Sequence, residues 1–165
     1  MSMQRVIVIG CPGAGKSTFS KALHSKTELP LIHLDMIWHK ADGSHIEREE
    51  FDKKLCGILK RDKWIIDGNY RRTLEIRLKA CDTVFLLDFS SDICLEGAME
   101  RLGKAREDMP WVERKLNSDF LNYIGSFAEL QIPIIYSLLE KYKGRNKQVI
   151  VFNSRRQMKE YLDNF

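Results

Sequence analysis

The chain has 165 residues, enough for one domain with its own core, and 30% of them are charged, with a formal net charge of +4. That surplus is small and its lysines and arginines are spread along the chain, which suits an acidic ligand such as a nucleotide. Direct nucleic-acid binding is allowed by this charge but not indicated by it. The longest apolar runs are strand-length, well short of the roughly 20 residues of a membrane helix, and no secretory pattern opens the chain. No membrane partner and a cytoplasmic location are therefore expected. Four cysteines, Cys11, Cys56, Cys81 and Cys94, stand apart without C-x-x-C spacing, which argues against structural zinc and a disulfide framework.

In chain order, Arg5-Val6-Ile7-Val8-Ile9 reads as a buried strand, and 18–26 reads as a helix with Phe19, Ala22 and Leu23 on one face. Leu31-Ile32-His33-Leu34 reads as a second strand ending at Asp35, and 36–43 as loop. Ser44-His45-Ile46-Glu47 has the S-x-x-E form of a capping box and predicts a helix carrying Phe51, Leu55, Ile58 and Leu59 inward. Trp64-Ile65-Ile66 is a third strand closed by Asp67-Gly68, a short helix follows at 73–79, and Thr83 to Leu87 is a fourth strand closed by Asp88. Ser91 or Asp92 can cap the next helix, with Ile93, Leu95, Ala98, Met99 and Leu102 as its apolar face. The apolar period is lost at 103–118. It returns at Phe120, Leu121, Ile124 and Phe127, and Pro133 opens a helix that Gly144 ends. Gln148 to Phe152 is a fifth strand, and Ser154-Arg155-Arg156-Gln157 opens a last helix with Met158, Tyr161, Leu162 and Phe165 inward.

Five short apolar strands alternating with helices predict an α/β fold in three layers, with a five-stranded parallel sheet covered on both faces. The whole chain, 1–165, reads as one such domain. Ligands of these sheets bind beyond the carboxyl ends of the strands, where Asp35, Asp67 and Asp88 fall with the glycine-rich segment after the first strand.

That segment, Gly10-Cys11-Pro12-Gly13-Ala14-Gly15-Lys16-Ser17-Thr18, fits G-x-x-x-x-G-K-[ST] between a strand and a helix. Its glycines let backbone N–H groups turn inward on a phosphate chain at a helix N-terminus. Lys16 would reach the β- and γ-phosphates and the Ser17 hydroxyl would ligate Mg²⁺, so ATP and Mg²⁺ are the expected cofactors. A GTP-dependent switch is disfavoured: Asn146-Lys147-Gln148-Val149 has valine where N-K-x-D requires aspartate, and Asp67 and Gly68 are adjacent, not spaced as D-x-x-G. Cys11, beside a helix N-terminus and Lys16, sits where a thiolate would be favoured, although a small filler at a variable loop position is the preferred reading. For the acid at a neighbouring strand end, Asp67 and Asp88 compete.

Ile65-Ile66-Asp67-Gly68-Asn69-Tyr70-Arg71 resembles the strand and D-G-x-x-R segment of adenylate kinase and other nucleoside-monophosphate kinases. The resemblance extends in outline over most of the chain. It implies that Asp67 serves the Mg²⁺ site and that Arg71 grips an acceptor phosphate. It also implies strand order 2-3-1-4-5, an acceptor-binding insertion at about 38–60 and a mobile lid at about 101–118. Tyr70 departs from that pattern, which carries proline there; Arg48 is the substitute for a second acceptor-binding arginine, and the short lid lacks zinc cysteines. The layout is also similar to kinases of the shikimate and gluconate type, where an acid after the second strand contacts an acceptor hydroxyl; Asp35 matches it. The resemblance implies acceptor contacts from Asp35, Trp38, Asp67, Gly68, Asn69 and Arg71, adenine contacts from Asn153 and Arg155, and phosphate contacts from lid arginines Arg101 and Arg106.

A narrower similarity joins the glycine loop, His33-Leu34-Asp35, Trp38, Trp64 to Tyr70, and Arg77-Leu78 with Asp82 to the bacterial DNA topology modulation proteins. That group has an adenylate-kinase-like fold and a name taken from a genetic effect. The expected function is a Mg-ATP-dependent phosphotransferase with a small acceptor. The alternative is an ATP-binding regulator affecting DNA topology without kinase activity.

Overall fold

A computed structural model describes residues 2–144 and 146–165. Five parallel strands, β1 (Arg5–Gly10), β2 (Leu31–His33), β3 (Trp64–Asp67), β4 (Thr83–Leu87) and β5 (Gln148–Phe152), pair in the order β2-β3-β1-β4-β5. Val, Ile and Leu dominate β1, β3 and β4, whose residues are buried apart from Arg5, as expected of strands covered on both faces. The chain leaves β1 for β2 and β3 on one side and returns to β4 and β5 on the other. The carboxyl end of β1 is thus where the winding reverses and a crevice opens.

Among the described residues eight α-helices surround the sheet: α1 (Lys16–Thr27), α2 (Leu34–Trp38), α3 (Arg48–Leu59), α4 (Leu74–Ala80), α5 (Ser91–Glu100), α6 (Ser118–Leu130), α7 (Ile132–Lys141) and α8 (Arg155–Asp163). Behind α1 the rings of Phe19, Phe85, Phe152 and Tyr161 meet with centroids 4.8–6.5 Å apart, joining α1, β4, β5 and α8 into one apolar wedge. No helix among the described residues is long and apolar enough to cross a membrane.

Several local expectations need correction. The second strand stops at His33, and 34–38 forms the short helix α2 where loop was expected. Ser44 does not cap α3: its hydroxyl bonds Asp42 in a local turn, His45 pairs with His39 in an isolated bridge, and the helix starts from Glu47 without a side-chain cap. The competing turn consumed the hydroxyl. Ser90, one residue before the expected caps, accepts the Ile93 N–H, and the inward face of α5 is Cys94, Gly97 and Ala98, with Met99 61% exposed. Phe165 is likewise exposed. The second S-x-x-Q site behaves as expected, with Ser154 accepting from the Gln157 N–H and Gln157 accepting from Asn153 N–H.

The small face of α5 lets the loop after β1 lie directly on that helix. A Cβ on Gly97 would stand 2.1 Å from the Gly13 carbonyl oxygen, and a Cβ on Gly13, whose φ is 86°, would stand 2.0 Å from the Cys94 carbonyl oxygen. Gly97→Ala is therefore expected to push the loop off α5. It should cost about 1–3 kcal/mol in denaturant unfolding and weaken nucleotide binding in the same variant.

Candidate functional site

The loop after β1 is closed by its own lysine. Lys16 Nζ donates to the carbonyls of Gly10 (2.9 Å) and Cys11 (3.2 Å), at the first turn of α1. Burial lowers the pKa of this ammonium, while the carboxylates of Asp67 and Asp35 oppose that change. Cys11 does not carry the thiolate character considered above. It is buried, and a hydrogen bond to Cys94 together with burial pushes its pKa up, outweighing Lys16. Its Sγ points to the Ile124 carbonyl at 3.9 Å.

The loop is fastened to the neighbouring strand end by Asn69. The Gly10 N–H donates to Asn69 Oδ1 (3.0 Å), and Asn69 Nδ2 donates back to the Gly10 carbonyl (2.6 Å). Asn69, assigned by resemblance to an acceptor, is thus engaged with the loop itself. Behind it the fully buried guanidinium of Arg77 donates to the carbonyls of Gly68 (2.9 Å), Asn69 and Tyr70 (3.1 Å). Burial pushes the Arg77 pKa down to about 10. These bonds hold a turn in which Tyr70 has φ 37°, an uncommon value for a non-glycine residue. Asp82, the other end of the Arg77-Leu78 motif, accepts the N–H groups of Gln4 and Arg5 (2.8 Å to the latter) and so fixes the start of β1.

Around the Ser17 hydroxyl three acidic or basic groups converge. Ser17 Oγ lies 2.8 Å from Asp67 Oδ2 and 2.9 Å from Asp108 Oδ2, and His33 Nδ1 lies 2.8 Å from that same Asp67 oxygen. Burial raises the Asp108 pKa, but the Arg106 charge and the Ser17 bond outweigh it and keep the carboxyl below its ordinary value. A hydroxyl and two carboxylates form an oxygen set suited to a hard cation such as Mg²⁺, which commonly takes one or two carboxylates alongside nucleotide phosphates. Asp88, the rival of Asp67, is elsewhere: it accepts the Tyr136 hydroxyl at 2.9 Å.

Residues 101–117, without helix or strand, cross over this site. Arg106 there is already paired, 2.7 Å from Glu113 and 3.5 Å from Asp108. Arg101 differs: its Nε is buried without a hydrogen-bond partner, and it lines the cavity. Burial, and then the neighbouring charge of Arg106, lower the Arg101 pKa.

A cavity of about 980 Å³ runs from the loop residues Pro12, Gly13, Ala14, Gly15, Lys16, Ser17 and Thr18 to Asp35, Asp67, Gly68, Asn69 and Tyr70. Tyr70 Oη donates to Asp35 Oδ1 at 2.6 Å, and His39 Nε2 approaches that oxygen at 4.0 Å. Burial and the Asp35 charge push the Tyr70 pKa up, so the phenol stays a donor. Arg155 is also in the lining. Trp38, Arg71 and Asn153 are outside it. Trp38 stacks on His45 (4.3 Å between centroids) and meets Tyr70 edge-on, forming a wall behind the cavity. Arg71 is exposed and donates to Gln131 at 3.0 Å, and Arg72 is spent on a bidentate pair with Asp52. His33, His39, Arg77 and Asp108 were not singled out for the site by sequence reasoning. His33 and Arg77 stood in a recognised motif, but nothing in the charge-rich segment distinguished Asp108 from its neighbours.

No protein-family profile matches the chain. Adenylate kinase of Thermotoga neapolitana is 32% identical over 88 residues, covering 52% of this chain and 39% of the relative; that of Thermotoga maritima is 33% identical over the same length. The chain thus matches about two-fifths of the length of these curated relatives. Among solved structures, shikimate kinase from Bacteroides thetaiotaomicron superposes with a TM-score of 0.58 at 19% identity, covering 99% of this chain and 96% of that one. A gluconokinase from Sinorhizobium meliloti 1021 gives 0.51 at 16% identity, covering 97% and 87%. The fold is that of the P-loop kinases, in the expected strand order.

If Asn69 holds the loop, Asn69→Ala should destabilise the ligand-free protein by about 1–3 kcal/mol in denaturant unfolding, the cost of leaving the Gly10 peptide unpaired. A side chain serving an acceptor alone would leave that midpoint unmoved.

Proposed function

We propose that the chain is a Mg-ATP-dependent phosphotransferase whose acceptor is a small molecule bearing a hydroxyl group. One observation carries the reading: Lys16 of the phosphate loop and the Asp35 carboxylate open into a single cavity. The partial similarity to adenylate kinases and the fold shared with shikimate kinase and gluconokinase support phosphoryl transfer as the chemistry.

In this reading Gly10, Pro12, Gly13, Ala14, Gly15 and Thr18 form the phosphate cradle, and Lys16 exchanges its bonds to the Gly10 and Cys11 carbonyls for phosphate oxygens. Ser17 and Asp67 hold Mg²⁺, which supplies charge neutralisation across the β- and γ-phosphates. Tyr70 and His39 both approach Asp35 Oδ1, which leaves Oδ2 to orient an acceptor hydroxyl and accept its proton. A new bond forms between that oxygen and the γ-phosphorus as the bond to the ADP oxygen breaks. Arg101, half-buried with an unpartnered Nε, faces the charge that spreads over the transferring group, and Arg106 follows once freed from Glu113. Arg155 borders the nucleotide end.

A hydroxyl acceptor is preferred over a phosphate because Arg71 and Arg72, the guanidiniums that would grip an anion, are engaged outside the cavity. The topology-modulation similarity offers a second reading, a nucleotide-dependent regulator acting on DNA. Two residues of its motif, Arg77 and Asp82, are occupied in holding the turn after β3 and the start of β1.

Lys16→Ala should weaken ATP binding about 10- to 100-fold, the worth of charge-assisted bonds to phosphate, with thermal unfolding little changed. Calorimetric titration with ATP checks this. Asp35→Asn should lower turnover with a hydroxyl acceptor about 10²- to 10⁴-fold and leave ATP affinity within about twofold. A screen of metabolites for ATP-dependent phosphorylation supplies the acceptor for that comparison. Equal losses in turnover and ATP affinity would remove Asp35 from the acceptor site.

A further inference from the structure

We infer that Asp108 is a direct contact of the divalent cation in the nucleotide site, so that closure of the 101–117 segment is coupled to metal. This rests on the nucleotide reading above and deepens it, since the phosphate-loop motif and the strand-end acid assign Ser17 and Asp67 but say nothing of Asp108.

The geometry demands a cation. A serine hydroxyl has one proton and can donate it to one carboxylate at a time, yet Ser17 Oγ has carboxylate oxygens of Asp67 and Asp108 at 2.8 and 2.9 Å. The side chains of Asp67 and Asp108 are only 5% and 7% exposed, so two carboxylates are brought together with little access for water. Two basic side chains face the pair, Arg106 at 3.5 Å from Asp108 but shared with Glu113, and His33 Nδ1 at 2.8 Å from Asp67 Oδ2, and neither touches both carboxylates. Ser17 is the residue after the phosphate-loop lysine, so a cation bound there also meets the nucleotide phosphates. Two carboxylates and a hydroxyl beside phosphate oxygens match the donor preference of Mg²⁺ or Mn²⁺.

The segment is built to swing on this contact. Its base is pinched by the Gly103 N–H donating to the Glu113 carbonyl at 2.6 Å, and the span between them carries Arg106 and Asp108. That span meets α1 through the buried Asp108–Ser17 contact and through Lys21–Glu107, 3.1 Å apart with Glu107 83% exposed. An exposed pair of that kind contributes little. The strength of attachment to α1 therefore follows Asp108. Without a cation two carboxylates repel across one hydroxyl; with one they converge on it, holding Arg106 over the phosphates.

The test uses the whole chain with ADP and Mn²⁺, free Mn²⁺ being counted by its EPR signal and the segment followed by amide hydrogen exchange. Asp108→Asn should weaken Mn²⁺ binding to the ADP complex by about 10- to 100-fold, while metal-free ADP binds at least as well as before. Asp108→Glu, which keeps the carboxylate, should recover most of that loss. In the unaltered chain, exchange at 104–112 should slow when Mn²⁺ joins ADP, and this slowing should vanish in the Asn variant. Mn²⁺ affinity indifferent to Asp108→Asn, or exchange that ADP alone slows fully in the unaltered chain, would overturn the inference and leave the nucleotide reading standing. Failure of the unaltered chain to bind ADP at all would overturn both.

Discussion

Two hydrogen bonds exchanged between the Gly10 peptide and the Asn69 carboxamide tie the end of β1 to the turn after β3, and the site is assembled around that clasp. It sets the phosphate loop against Asp67, so that the Ser17 hydroxyl reaches an Asp67 oxygen at 2.8 Å. The clasp depends in turn on Arg77, whose buried guanidinium takes up the Gly68 and Asn69 carbonyls and shares that of Tyr70 with Thr73. A buried cation bonded to backbone oxygens is costly to desolvate, and here it holds a turn with an unfavourable φ at Tyr70. That same turn places the Tyr70 hydroxyl on Asp35, linking the chain after β2 to the turn after β3.

Charge is arranged around the cavity in a way that anticipates a polyanion with its counterion. Lys16 is turned onto loop carbonyls and Arg101 has an unsatisfied Nε, both groups that phosphate oxygens would satisfy. Asp67 and Asp108 crowd one hydroxyl on the opposite flank, a set of oxygens that a divalent cation would satisfy. A metal–nucleotide complex would relieve both at once. Arg106 is held by Glu113 and Asp108.

Periodicity and motif chemistry carried much of the architecture into the sequence. Strand-length Val/Ile runs ending in acids are local features, and β1, β3, β4 and β5 appear within a residue of their expected bounds. Where a neighbour competed for a side chain, local reading failed: Asp42 took the Ser44 hydroxyl from the α3 cap, and Ser90 supplanted Ser91 and Asp92 at α5. The inward face of α5 was misjudged for a related reason. Apolarity pointed to Met99, but close approach to the Gly13 carbonyl required the smallest side chain, Gly97.

By itself the sequence determined a phosphate loop between a strand and a helix, and an acid at each neighbouring strand end, because these depend on residues adjacent in the chain. Tertiary structure decided which of those groups meet. Asp67 turned to Ser17 while Asp88 turned to Tyr136; Asn69 closed on Gly10, 59 positions away, and Arg71 was drawn out to Gln131. Asp108 shows the difference most plainly, since 91 positions separate it from Ser17 and no local pattern marks it. Contacts at such separation are chosen by how the helices and the crossing segment pack on the sheet, and no spacing rule within a single stretch encodes that choice.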